Sequence, residues 1–235
     1  MWQDSFDRAC RQPAILENAM NATPTELRTP PVTPRGVAIS GIIFSVLFTV
    51  GLVLIRLAVP ADPKDQGEWS ADASLRAMVH LGLNLVPFAG IAFLWFIAAL
   101  RSRVGLLEDR FLATVFLGSG LLFVALLFAS TAVSSAMLES VVEGRIAPHS
   151  ETYAFARRLS YTLMNAFGIK MAAVFMFVSS TIGLRTGFLA SWLAFIGFAI
   201  GLVLLLVITN FAWIALLFPL WVCLVSVYIL VSEYR

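Results

Sequence analysis

The sequence predicts an all-α fold, a six-span transmembrane helix bundle, and three observations carry that expectation. Apolar residues make up 60% of the 235-residue chain and charged residues 13%, where soluble globular chains hold roughly 45–50% and about 25%. The mean hydropathy is +0.89. Six apolar runs, at 37–59, 78–100, 111–138, 160–183, 187–208 and 211–232, have the length set by a hydrocarbon core of about 30 Å, which takes roughly 20 helical residues. No run alternates apolar with polar positions, as barrel strands of about 10 residues would.

Residues 1–36 are polar, carry both signs of charge and end in the Pro-rich stretch Thr29–Gly36, which cannot continue a helix. They read as a cytoplasmic tail, and 37–235 as the membrane domain. The first apolar run is longer than the roughly 7–15 residues of a signal-peptide core, so a cleaved leader is not expected.

The connections differ in kind. Pro60–Arg76 is charged, with Ser70 or Asp72 placed to cap the second helix. Glu139–Ser150 is also charged, and Ser150 is placed to cap a helix running through Arg157 and Arg158 into the bilayer. These two loops share a side, because an even number of spans separates them. The links Arg101–Arg110, Leu184–Thr186 and Thr209–Asn210 are short. Arg101 and Arg103 at a span end, against no cation in the Thr209–Asn210 link, orient both termini toward the cytoplasm, at the plasma (inner) membrane. Pro87 and Pro219 each remove a backbone donor from a run, so both helices are expected to kink.

Chemistry-bearing motifs are not expected. Net charge is +2, so no basic face for nucleic acid arises. Cys10 and Cys223 are too far apart in kind and sequence for a disulfide framework or a metal knuckle. There is no H-E-x-x-H, C-x-x-C or phosphate-loop run. Gly118, Ser119 and Gly120 lack the histidine partner that an intramembrane serine nucleophile needs, and His80 alone makes no haem site. No catalytic, cofactor-binding or metal-binding residue is therefore assigned. The expected partners are the lipid bilayer itself and either a membrane-protein partner or a second copy of the chain.

Two sets of residues stand out. Gly197 and Gly201, with Ala190 and Ala194, form a small-residue stripe that lets another helix approach closely. The second set is polar and falls in the outer halves of neighbouring spans: His80, Asn84, Thr131, Ser135, Glu139, Asn165 and Lys170. A Lys at a helix centre costs roughly 2.5–3.5 kcal/mol on insertion scales, so Lys170 is expected to pair with Glu139 near the outer interface. Together these residues form a candidate outer polar pocket. The competing structural reading has Lys170 snorkelling and the hydroxyls bonding their own helix carbonyls. The function expected from this balance is a non-catalytic subunit, sensor or scaffold. The alternative is a small transporter or channel using the polar pocket, and a weaker third is a lipid-modifying enzyme with Glu139 or His80 as base.

Overall fold

Hydrocarbon offers a peptide group no hydrogen bond, so an apolar run in a bilayer satisfies its own N–H and C=O groups by coiling. The computed structural model describes residues 34–60, 67–104, 110–206 and 213–232. Among them it contains six helices and no strand: α1 Pro34–Ala58, α2 Ala73–Val104, α3 Arg110–Val142, α4 Glu151–Thr186, α5 Ser191–Leu206 and α6 Leu217–Ser232. Short 3₁₀ turns, Glu68–Ala71 and Ile214–Leu216, lead into α2 and α6. The chain is thus the all-α bundle its sequence predicts. The expected tail, apart from residues 34–36, lies outside the described residues, as do Cys10 and the Thr209–Asn210 link.

Helix starts follow local chemistry. Asp72, not Ser70, caps α2: its Oδ1 accepts from Ser74 Oγ and from Ser74 N–H, both at 2.7 Å. The hydroxyl and then the amide of Ser74 hold the Asp72 carboxyl below its ordinary pKa. Ser150 caps α4 by accepting from Tyr153 N–H at 3.2 Å. Pro219 falls in the first turn of α6, where a missing N–H leaves no intrahelical bond unmade. Among the described residues, Pro87 of α2 is the proline in a helix interior.

Five helices are long and apolar enough to cross a membrane, and the chain is membrane-embedded. The described part of α5 has 16 residues, about 24 Å. The run expected at 187–208 starts late because Gly187, with φ 71°, takes the left-handed conformation that stops α4. Leu189 N–H then returns to Gly183 O at 3.4 Å, and the connection is 187–190 rather than 184–186.

In α4 the apolar run expected at 160–183 is the centre of a 36-residue helix. Its first part, Glu151–Tyr161, is amphipathic, and Thr162–Gly168 forms a π-helical stretch closed by Ile169 N–H on Met164 O. Lys170 therefore sits near the middle of α4, about 28 Å of rise from its start, not near an outer end.

Two ends of the bundle can be named by what they hold. The loop end gathers the end of α1, the start of α2, the end of α3 and the start of α4. The terminal end holds the start of α1 and the end of α6, with Thr186 and Ser191. Neighbours pack in the order α6, α1, α2, α3, α4, α5. At mid-height Phe44, Phe93, Phe123, Phe175 and Phe218, from five different helices, are at most 2% exposed. Their rings meet edge-on or tilted, with Phe44–Phe93 at 4.6 Å, Phe93–Phe175 at 5.1 Å and Phe123–Phe218 at 4.9 Å, and such pairs add about 0.5–1.5 kcal/mol each beyond burial.

Phe218 belongs to the first turn of α6, so α6 begins at this level and runs to the terminal end beside α1, where Ser226 faces Gly41. Correspondingly, α5 packs on α4 between Gly183 and Ala173. In their described parts α6 thus covers the terminal half of the bundle and α5 runs from it to just past the level of Phe175.

Gly197 and Gly201 are buried in this covered half. A Cβ on Gly197 would meet Ser180 Oγ and lie 2.8 Å from Trp221 Nε1, whereas one on Gly201 would lie 3.3 Å from Phe177. Overpacking of this kind costs about 1–3 kcal/mol. Gly197→Ala should therefore lower the melting temperature in detergent more than Gly201→Ala, and Gly197→Leu more than either. Equal melting of all three variants and the parent would show that α5 does not sit in this register.

Candidate functional site

Four helices that splay beyond the phenylalanine layer leave a space between them. At the loop end this is a cavity of about 170 Å³. Its floor is Phe48, whose ring lies 5.5 Å from Phe44 and 6.2 Å from Phe123. Its walls are apolar, with Leu52 and Ile55 from α1, Leu83 and Val86 from α2, Leu127 and Leu138 from α3, and Met164 from α4.

The polar lining is concentrated on α3, α4 and the last turn of α1. Ser130 and Ser134 stand four residues apart on α3 and so share a face, and both reach Ser160 of α4. Ser130 Oγ donates to Ser160 O at 2.9 Å, Ser160 Oγ donates to Ser130 O at 3.0 Å, and the Ser134 and Ser160 hydroxyls are 2.6 Å apart. Arg56 places its Cζ 5.9 Å from the centre of the Tyr161 ring, a cation–π distance. Its Nε is buried and has no hydrogen-bond partner. Arg157 also lines the cavity and donates from Nη2 to Pro60 O at 2.8 Å, tying α4 to the end of α1.

The π-helical stretch of α4 shapes this wall. Wider winding displaces carbonyls from their usual partners, and Asn165 Nδ2 donates to Tyr161 O at 3.1 Å within it. Tyr161, Met164 and Asn165 all face the cavity.

The turn before α2 closes the loop end. Trp69 is buried and its Nε1 donates to Tyr153 Oη at 3.2 Å. Gly67, at φ 90°, lies flat against the Tyr153 ring, where a Cβ would fall 2.7 Å from Cζ. Ser70 Oγ donates to Gly67 O at 2.6 Å, and Arg76 Nη1 to Ser70 O at 2.6 Å.

Of the residues singled out from the sequence, Thr131 and Asn165 line the cavity. Thr131 Oγ1 donates to Leu127 O of its own helix at 2.8 Å. His80, Asn84 and Glu139 are exposed, and Ser135 and Lys170 are half-buried away from the lining. Lys170 and Glu139 form no ion pair; Glu143 and Arg145, at 2.9 Å, do. The reason is height. Ser134 and Ser160 fix the level at which α3 and α4 meet, and from it Glu139 lies toward the loop end and Lys170 ten residues toward the terminal end, a separation of more than about 20 Å.

The site residues not selected from the sequence are Arg56, Arg157, Ser130, Ser134, Ser160 and Tyr161. Arg56 carried a signal, since it interrupts an apolar run. Ser130 and Ser134 are one position away from Thr131 and Ser135, about 100° around the helix, and only the placement of α4 tells which stripe faces inward. Among the described residues no three His, Cys, Asp or Glu side chains gather as a metal site. The chain matches no protein family, no curated protein and no solved structure.

The cap makes a specific demand on Gly67. Gly67→Ala combines a left-handed backbone with a clash against Tyr153, a strain of about 1–3 kcal/mol. It should speed amide exchange at Trp69–Asp72 while leaving mid-bundle amides near Phe93 and Phe123 protected. Unchanged exchange in the turn would show that Trp69 is not held by the Gly67–Tyr153 contact.

Proposed function

We propose that the protein is a non-catalytic, multi-pass membrane protein that binds a ligand in the cavity at the loop end, acting as a sensor or as the ligand-binding subunit of a larger assembly. One observation carries this: a cavity of about 170 Å³ with apolar walls, lined also by two arginines and three serines. Ligand sites combine a mostly apolar lining with a few placed polar groups in this manner.

The phenylalanine layer argues against the channel alternative. Phe44, Phe93, Phe123, Phe175 and Phe218 fill the bundle axis below Phe48, so the cavity has a packed floor. A transport cycle would have to separate those rings. The sequence motifs supply no nucleophile, metal or cofactor for the enzyme alternative.

The Lys and Arg distribution orients the loop end outward and both termini toward the cytoplasm. In a background with Cys10→Ser and Cys223→Ser, Glu143→Cys should react with an impermeant thiol reagent on intact cells, and Arg101→Cys only after permeabilisation. The reverse pattern would turn the cavity toward the cytoplasm.

Occupancy of the cavity is tested by filling it. Thr131→Phe should abolish the mass increment that native mass spectrometry detects on protein extracted from its own membrane. If the parent carries no such increment, and none appears after incubation with total membrane lipid extract, the binding function is refuted.

A further inference from the structure

The class of ligand follows from the same cavity, and rests on its being a binding site. We infer that it takes an anionic single-chain amphiphile, with a carboxylate or phosphate held at Arg56 and the Ser134–Ser160 hydroxyls and the chain lying on Leu52, Leu83 and Val86.

Charge comes first. The formally charged side chains among the described lining residues are Arg56 and Arg157, and no carboxylate is among them. Arg56 projects from the last turn of an apolar helix, and its Nε is removed from solvent without a hydrogen-bond partner. A guanidinium carries five donors in a planar fork that fits a carboxylate or phosphate with two parallel bonds. Leaving a donor of a charged group unmet in a half-apolar cavity costs free energy that an anion would recover. Tyr161, whose ring centre lies 5.9 Å from Cζ, also hydrogen-bonds the guanidinium, and Nε is the donor left unmet.

The shape of the lining selects the rest of the molecule. Leu52 is one turn and Phe48 two turns deeper along α1 than Arg56, so polarity falls off along about 12 Å of helix. A small inorganic anion would meet Arg56 and leave the apolar part uncovered. A neutral hydrocarbon would leave Arg56 Nε unmet. The volume, about 170 Å³, is comparable to the roughly 150 Å³ of an engineered cavity that holds benzene, so a head and the first carbons of one chain fit, not a two-chain lipid.

The route of entry is lateral. Trp69 on Tyr153 and Arg157 on Pro60 cover the loop end. Among the described residues α1 and α4 have no extended helix packing, and α6, which packs on α1, begins only at the phenylalanine layer. Leu57 on α1 and Phe167 on α4 are 62% and 55% exposed. A chain arriving from the bilayer would pass between these helices with its head beside Arg56.

The test uses the purified full chain in a neutral sugar detergent, with native mass spectrometry and thermal unfolding as readouts. The probes are dodecanoate, dodecyl phosphate, dodecyltrimethylammonium and inorganic phosphate. The two anionic chains should bind at one per protein, at least tenfold tighter than the cationic chain, and should raise the melting temperature. Arg56→Gln should weaken both at least tenfold, Arg56→Lys less, and Arg158→Gln, at an exposed neighbour outside the cavity, should change nothing. Arg56→Lys also serves if Arg56→Gln fails to fold.

Equal binding of the cationic chain would overturn the inference, since the cavity would then be reading the chain alone. Inorganic phosphate binding as tightly as dodecyl phosphate would overturn it in favour of a free-anion site, while leaving the cavity a ligand site. If no probe binds and the parent also lacks the native increment that Thr131→Phe is expected to remove, both this inference and the proposed function fall.

Discussion

Everything in the bundle is positioned by the contact of five phenylalanine rings at its middle. Phe44, Phe93, Phe123, Phe175 and Phe218 come from α1, α2, α3, α4 and α6 and are buried almost completely. Helices in lipid gain little from hydrophobic association, since lipid tails are as apolar as leucine, and what holds them is packing and hydrogen bonding. Interlocked aromatic rings supply dispersion and edge-to-face contacts that acyl chains cannot match. The layer sets the height at which α6 begins and forms the floor of the cavity.

On the terminal side of that layer, close approach replaces bulk. Gly41 faces Ser226, Gly197 faces Ser180 and Trp221, and Gly120 faces Ile97 and Phe175. Hydroxyls there turn back on their own helices: Ser40 on Gly36 O, Ser45 on Gly41 O, Thr181 on Phe177 O and Ser226 on Val222 O. Satisfied within one helix, such groups can be buried without needing a neighbour. Ser180 Oγ and Trp221 Nε1, beside Gly197, are the buried exceptions here among the described residues, with no hydrogen-bond partner.

The loop side behaves differently. Ser130, Ser134 and Ser160 bond between helices, and Arg56 and Arg157 bring charge to the last turns facing the cavity. Here α1 and α4 are joined across the cavity through Arg56 on Tyr161 and Arg157 on Pro60. The π-helical stretch in α4 lies on this wall and not in the packed half.

What the sequence determined by itself is what depends on one helix at a time. Runs of bilayer length, a cap at Ser70 or Asp72 and one at Ser150, and the small-residue stripe at Gly197 and Gly201 follow from local hydrogen bonding, length and side-chain size. So does the sharing of one end by the two charged loops, where Trp69 of the first bonds Tyr153 in the first turn of α4 beside the second. The candidate site was legible only in part, with Thr131 and Asn165 lining the cavity and Lys170, Glu139, His80 and Asn84 away from it. Which stripe of α3 faces α4, and at what height two helices meet, are relations between elements. A rotation of one residue exchanges Ser130 for Thr131, and the level at which α3 meets α4, marked by Ser134 and Ser160, leaves Lys170 far from Glu139. Those relations are decided by side-chain packing at the phenylalanine layer, whose rings come from five separate runs and have no order among themselves until the chain has folded.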